Sequence, residues 1–250
     1  MSRRNYRISL DIVESGFLAC WTNVQDLIKG AKILNHGKLH ALALSTSVLA
    51  LEEMGKLFCL DGLLYARAGD EKARTFEKSL KSHSLKLSAL MAFPMFLGQL
   101  ASVDPRYGKD RAFNMTVAIS IRHMQECGNA LFSMLENETF QDLDGWKQAG
   151  FYAGLNSHDN VFKIPAETVP PELSDAVYAL GRRAASMLDF LLKDGGLKRY
   201  IENARTVRER LTEEQHVEIA TMAEALLNDV YPDSGDPLGE EAGTVDNKFQ

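Results

Sequence analysis

The sequence predicts an all-α fold, a helical bundle broken by one irregular insert, on three observations. Apolar residues recur at helical spacing through several long stretches. Glycine, proline and asparagine punctuate the joins between those stretches. In a chain of 250 residues, 45% hydrophobic residues supply a substantial core.

The first predicted helix covers residues 8–34, where Leu10, Ile12, Val13, Phe17, Leu18, Trp21, Val24, Leu27, Ile28, Ala31 and Leu34 recur at helical spacing. Asn35, His36 and Gly37 supply its C-cap and turn. A second helix over about 38–68 begins with the small residues Ala41, Ala43, Ser45 and Ser47, which permit close helix packing. Gly69 and Asp70 end it. A third helix is predicted from Glu71 to Leu100, with Pro94 kinking or breaking it near Phe93. Asp104 to Gly108 reads as a turn, and a fourth helix follows over about 110–136. Residues 1–137 are thus expected to form the main bundle.

Residues 138–169 carry Trp146, Phe151, Tyr152 and Phe162 among glycines and polar residues, so an irregular aromatic insert is expected, with a short hairpin around Phe151 to Lys163. Residues 170–230 predict C-terminal helices packing on the bundle. Pro170 and Pro171 open the first, and a break is expected near Thr212 in the second. The acidic, Gly- and Pro-containing stretch 231–250 reads as a disordered tail.

Charge and composition exclude several functional classes. A net charge of −6 argues against a protein that coats nucleic acid indiscriminately, while leaving room for a local basic patch. Cys20, Cys59 and Cys127 are far apart and unpaired by any C-x-x-C spacing, so they read as reduced core thiols of a cytoplasmic protein. The Arg3-Arg4 start fails as an export signal because Asp11 and Glu14 interrupt the segment that should be apolar. No apolar run is long enough for a membrane span. Glu213 and His216 have the Glu-x-x-His spacing of di-iron bundles, but no second such pair accompanies them, so no metal is expected and no cofactor is assigned.

One constellation stands out. Glu52 and Lys56 are four residues apart with the acid first, the order that favours an intrahelical ion pair, and Glu53 points about 100° away. Taken alone this would be a solvated pair, but Ala50-Leu51 and Leu57-Phe58 make the surroundings apolar. Gly55 costs the helix about 1 kcal/mol relative to Ala, a cost that close approach by another backbone or a ligand would explain. His83 and Lys86, three apart, share a face of the third helix. Counted from Gly69, Lys56 lies thirteen residues before the turn and His83 fourteen after it, so an antiparallel hairpin brings the two rows to one height. Arg122-His123 and His158-Asp159 are further polar groups, each more ordinary on a surface.

The run Ala50-Leu51-Glu52-Glu53-Met54-Gly55-Lys56, followed by His83-Ser84-Leu85-Lys86, resembles the AbiV-type abortive-infection proteins of the HEPN superfamily. The segment from Gly150 to Pro165 is similar to that family's aromatic loop. The resemblance covers about residues 10–184 and implies a HEPN-like helical bundle, a homodimer and a role in antiphage defence directed at RNA, the translation machinery or a phage protein. Many HEPN proteins are metal-independent ribonucleases that use an Arg and a His at a short fixed spacing. The resemblance therefore offers His83 as base or acid, Lys56, Lys78 and Lys86 as phosphate ligands, and Glu52 or Glu53 as orienter. Here the pattern departs from the family's, since eight residues separate Arg74 from His83. Lys78 is at the right spacing, but it lacks the guanidinium fork. The competing expectation is a non-catalytic effector whose polar cluster knits the bundle while a surface around Trp146 to Phe162 binds a partner.

Overall fold

The computed structural model describes residues 10–65, 79–135, 140, 142–156 and 161–212, with 214, 215, 217, 218 and 221 beyond them. The expectations placed on Arg74, Lys78, His158, Glu213, His216 and the acidic tail lie outside the described residues.

The bundle is organised around α2 (His40–Tyr65), which packs against α1 (Leu10–His36) and most later elements. Ala50, Leu51 and Glu52 are consecutive, about 100° apart, and all buried, so α2 is enclosed over most of its circumference, with a partly exposed stripe at Leu42, Thr46, Leu49, Glu53 and Lys56. The join between α1 and α2 comes where expected, with Gly37 N–H bonding to the Ile33 carbonyl, but the left-handed position falls on Lys38 at φ 58° and not on the glycine.

The expected third helix is not continuous. The chain is extended at Ser82, whose hydroxyl accepts the Leu85 N–H at 3.3 Å and starts a new short helix, α3 (His83–Ser88). A 3₁₀ turn (Ala89–Ala92) leads into α4 (Phe93–Ser102), and Pro94 sits in its first turn, where a missing N–H costs nothing. The stretch Leu85–Ser102 has a mean hydropathy of 1.3 and is the one candidate for a membrane span among the described residues. It packs against α2, and its α4 part also against α5, with 61% of it buried inside the bundle, which accounts for its apolar character.

Asp104 forms the predicted turn, bonding Arg106 through Nε and Nη2 at 2.8 Å each. Those bonds hold its carboxyl down at about 2. Asp110 caps α5 (Arg111–Phe132) by accepting the Ala112 and Phe113 N–H groups.

The segment expected to be irregular contains a helix, α6 (Asp142–Phe151), whose Leu143, Lys147 and Gly150 are buried against α2. A Cβ on Gly150 would stand 2.1 Å from Ser45 Oγ and 2.5 Å from the Ala41 carbonyl oxygen, so α6 approaches the small-residue start of α2 as closely as a glycine allows. The expected hairpin follows as β1 (Gly154–Asn156) and β2 (Val161–Lys163), antiparallel with Gly154 opposite Lys163. After α7 (Pro165–Thr168), Pro171 opens α8 (Pro171–Leu192), and α9 (Gly196–Arg210) ends before the break at Leu211 and Thr212.

All three cysteines are free, but only Cys59 is fully buried, while Cys20 and Cys127 are half-buried. Burial pushes the Cys20 and Cys59 thiols up to about 12, which keeps them unreactive.

A second buried polar contact closes α9 onto α2. The Tyr200 hydroxyl donates to Asp61 Oδ1, beside an aromatic cluster of Phe17, Phe93 and Phe96. Burial pushes the Asp61 carboxyl up to about 7, against the opposing effect of the Tyr200 bond. A carboxyl raised above its ordinary 3.8 holds its proton more tightly in the folded state. Its contribution to stability is complete below about 3.8 and is lost as pH rises through about 7. Urea midpoints of Asp61→Asn and the parent should therefore diverge progressively as pH rises through that window, the variant holding its stability better. Parallel profiles would show that Asp61 ionises as freely folded as unfolded.

Candidate functional site

The Glu52 carboxylate is the centre of a cross-helix cluster, 2% exposed on α2. Its Oε2 lies 2.7 Å from His83 Nδ1 and 3.7 Å from Lys86 Nζ, both from α3. Its Oε1 accepts from Lys147 Nζ of α6 at 2.5 Å. One buried acid thus ties together three helices. Sequence reasoning places Glu52, His83 and Lys86 here, and the structure brings them together.

Lys56 and Glu53 are placed differently from expectation. Lys56 Nζ pairs with Glu53 Oε1 at 2.5 Å, an i,i+3 contact on the partly exposed side of α2, and not with Glu52. The physical reason is competition, because both oxygens of Glu52 are already engaged by His83, Lys86 and Lys147. Burial first, and the nearby Glu53 charge after it, raise the Cys20 thiol of α1 beside this smaller group.

Gly55 explains why α3 can reach Glu52. A Cβ there would fall 1.9 Å from the Lys86 carbonyl oxygen and 2.7 Å from its carbonyl carbon. The close approach expected from the glycine is therefore that of another backbone, and it seats Lys86 one turn from the acid it faces.

Lys147 is the member that sequence reasoning missed. It is 3% exposed and contacts Glu52 Oε1, Asp144 Oδ1 at 2.6 Å and His83 Nδ1 at 3.3 Å. The i,i+3 spacing of Asp144 and Lys147 offers a local ion pair, but no spacing in the sequence points from Lys147 to Glu52. The two buried lysines respond oppositely. Burial pulls the Lys86 ammonium below its usual range, more than Glu52 at 3.7 Å restores. Burial acts on Lys147 too, but direct bonds to Asp144 and Glu52 carry it upward.

Among the described residues, Glu52, His83 and Asp144 offer ligand atoms within 4.8 Å of one another, a spacing that could hold a metal ion. The Lys147 ammonium touches all three, so a resident side-chain cation takes the position a metal would need. With Lys86 adding a second positive charge, this donor set does not fit a divalent ion.

His83 differs from its neighbours in exposure, with 56% of its side chain accessible. A Nδ1–H donated to Glu52 would leave Nε2 as the ring's acceptor, an arrangement that suits a proton-transferring imidazole.

A family model for AbiV, of HEPN type, matches residues 13–184, which span Glu52, Gly55, His83, Lys86 and Lys147. The chain belongs to the AbiV family of HEPN-type proteins. No curated protein and no solved structure matches it. Membership places this AbiV-family chain among abortive-infection proteins of antiphage defence, and the all-α bundle agrees with the family's fold.

Proposed function

We propose that the protein is an abortive-infection effector that acts inside the cell by binding RNA or the translation machinery, and that the Glu52 cluster holds the bundle in its binding shape. The observation that carries this reading is the commitment of the lysines. Among the described residues, Lys86 is held by Glu52, Lys147 by Glu52 and Asp144, and Lys56 by Glu53, so each of these lysines meets a carboxylate before any phosphate arrives. A ribonuclease centre requires cations that are free to hold the scissile phosphate.

A second reading is favoured by one observation, the exposed imidazole of His83 held through Nδ1 by Glu52. In that reading Nε2 takes the 2′-hydroxyl proton of a bound RNA and Glu52 orients the ring. Plaque assays at matched protein level decide between the two, together with RNA cleavage assays in EDTA. Binding predicts that neither protein cuts RNA and that His83→Ala lowers thermal stability, with any loss of protection following the loss of folded protein. Cleavage by the parent that His83→Ala abolishes, with folding intact, would establish the nuclease.

The family setting also supports a homodimer, which light scattering at several concentrations would test. The hairpin side offers an exposed apolar surface for a partner, with Tyr152 67% and Phe162 70% exposed, whereas Trp146 is half-buried in α6.

A further inference from the structure

We propose that the groove between α5 and α8 binds the phosphate backbone of RNA, an assignment that deepens the preceding reading and takes its biological setting from it. The groove encloses about 320 Å³ on a face that the Glu52 cluster does not use. From α5 it is lined by Thr116, Ser120 and His123, spaced i, i+4, i+7, and from α8 by Arg182, Arg183 and Ser186. Two adjoining helix faces therefore present hydroxyls, an imidazole and two guanidinium groups to one channel, with the α5 row extending about 10 Å.

Among the described residues, the charge in this channel is unopposed. Both arginines are exposed, and among the described residues neither has a carboxylate partner. The nearest acids on the two helices are engaged elsewhere, Glu126 with Arg122 at 3.0 Å and Asp189 with Lys193 at 2.5 Å. In a chain of net charge −6, adjacent unpaired arginines beside a histidine form a local anion site. Guanidinium forks match phosphate oxygens bidentately, and the Ser120 and Ser186 hydroxyls can bond phosphate or ribose oxygens, whereas Thr116 donates its own to the Ala112 carbonyl at 2.8 Å.

The channel's apolar floor favours backbone recognition over base stacking. Phe190 is stacked on Phe113 with ring centroids 5.4 Å apart, and Arg106 lies over both rings. Its ring is occupied within the fold and is not a platform for a nucleobase. Recognition through phosphate and ribose alone would be insensitive to sequence, as suits a ligand as general as messenger or ribosomal RNA.

The test is fluorescence anisotropy of a labelled oligouridine titrated with the full chain across a salt series. The proteins compared are the parent, Arg182→Glu/Arg183→Glu and the control Lys29→Glu/Lys198→Glu, which changes net charge equally on α1 and α9. The parent should bind. The arginine variant should bind on the order of tenfold more weakly near 0.1 M salt, with a salt slope lower by about 1.4 for the two lost phosphate contacts. The control should bind as the parent does. Equal weakening by the control, unchanged binding by the arginine variant, or binding of an acidic peptide in place of oligouridine would each overturn the groove assignment. Failure of the parent to bind oligouridine would also overturn it, while plaque protection by that same protein would leave the effector reading standing.

Discussion

Glu52→Gln should lower unfolding free energy by about 3–5 kcal/mol, the largest effect expected of any substitution in the polar cluster. The substitution keeps shape and removes charge. Among the described residues, Lys86, 5% exposed at its side chain, loses the one carboxylate it contacts, and Lys147 is left with Asp144 alone. A buried ammonium without its counter-ion carries its desolvation cost uncompensated, and the cost exceeds what the intact pair contributed. For a domain whose whole stability is about 5–15 kcal/mol, this loss would leave a chain close to unfolding. Urea denaturation at neutral pH reads it as a shifted midpoint with the slope unchanged. Glu53→Gln, one residue along, is the contrast, because its pair with Lys56 is partly exposed and should be worth less than about 1 kcal/mol. The double variant Glu52→Gln/Lys86→Met should recover part of the loss, since it removes the stranded charge together with its partner. Equal small effects at Glu52 and Glu53 would show that the cluster is hydrated and that its burial contributes no stability.

How much of this was legible in the sequence depended on what kind of residue each element buries. Helices α1, α2, α5 and α8 bury leucine, valine, alanine and phenylalanine, so apolar periodicity displays them directly. Helix α6 buries Lys147 and Gly150 in positions where an apolar residue would have marked the helix, and its periodicity is invisible to a hydrophobic pattern. The same residue is what the site lacked on paper, because nothing in the spacing of Glu52 and Lys147, ninety-five positions apart, reports their contact. The partnership of Glu52 with His83 and Lys86 was legible from equal heights in a hairpin, although the helix carrying His83 restarts at Ser82 and does not run unbroken from the turn. Lys56 was assigned to Glu52 on intrahelical geometry alone. Tertiary competition decides that choice, and the i,i+3 acid receives the lysine once the i,i+4 acid is taken.

Gly55→Ala should destabilise the bundle by about 3 kcal/mol, at the upper end of overpacking costs and opposite in sign to its helix propensity. In an open helix the same change would gain up to about 1 kcal/mol. Here the new methyl would lie 1.9 Å from the Lys86 carbonyl oxygen and 3.1 Å from its Cα, and backbone atoms cannot turn aside as a side chain would. Helix α3 must move away from α2, which draws Lys86 and His83 off Glu52 and exposes the buried acid to water. Gly98→Ala supplies the internal comparison, since a Cβ there meets nothing within 4 Å and should stabilise α4 by about 0.5–1 kcal/mol. Thermal or urea unfolding of the two variants should therefore shift in opposite directions. Faster hydrogen exchange at the amides of residues 83–88 in Gly55→Ala would locate the damage in α3, as the geometry requires. If Gly55→Ala proved as stable as Gly98→Ala, α3 would have room to yield, and the seating of Lys86 against α2 could not be what holds the cluster together.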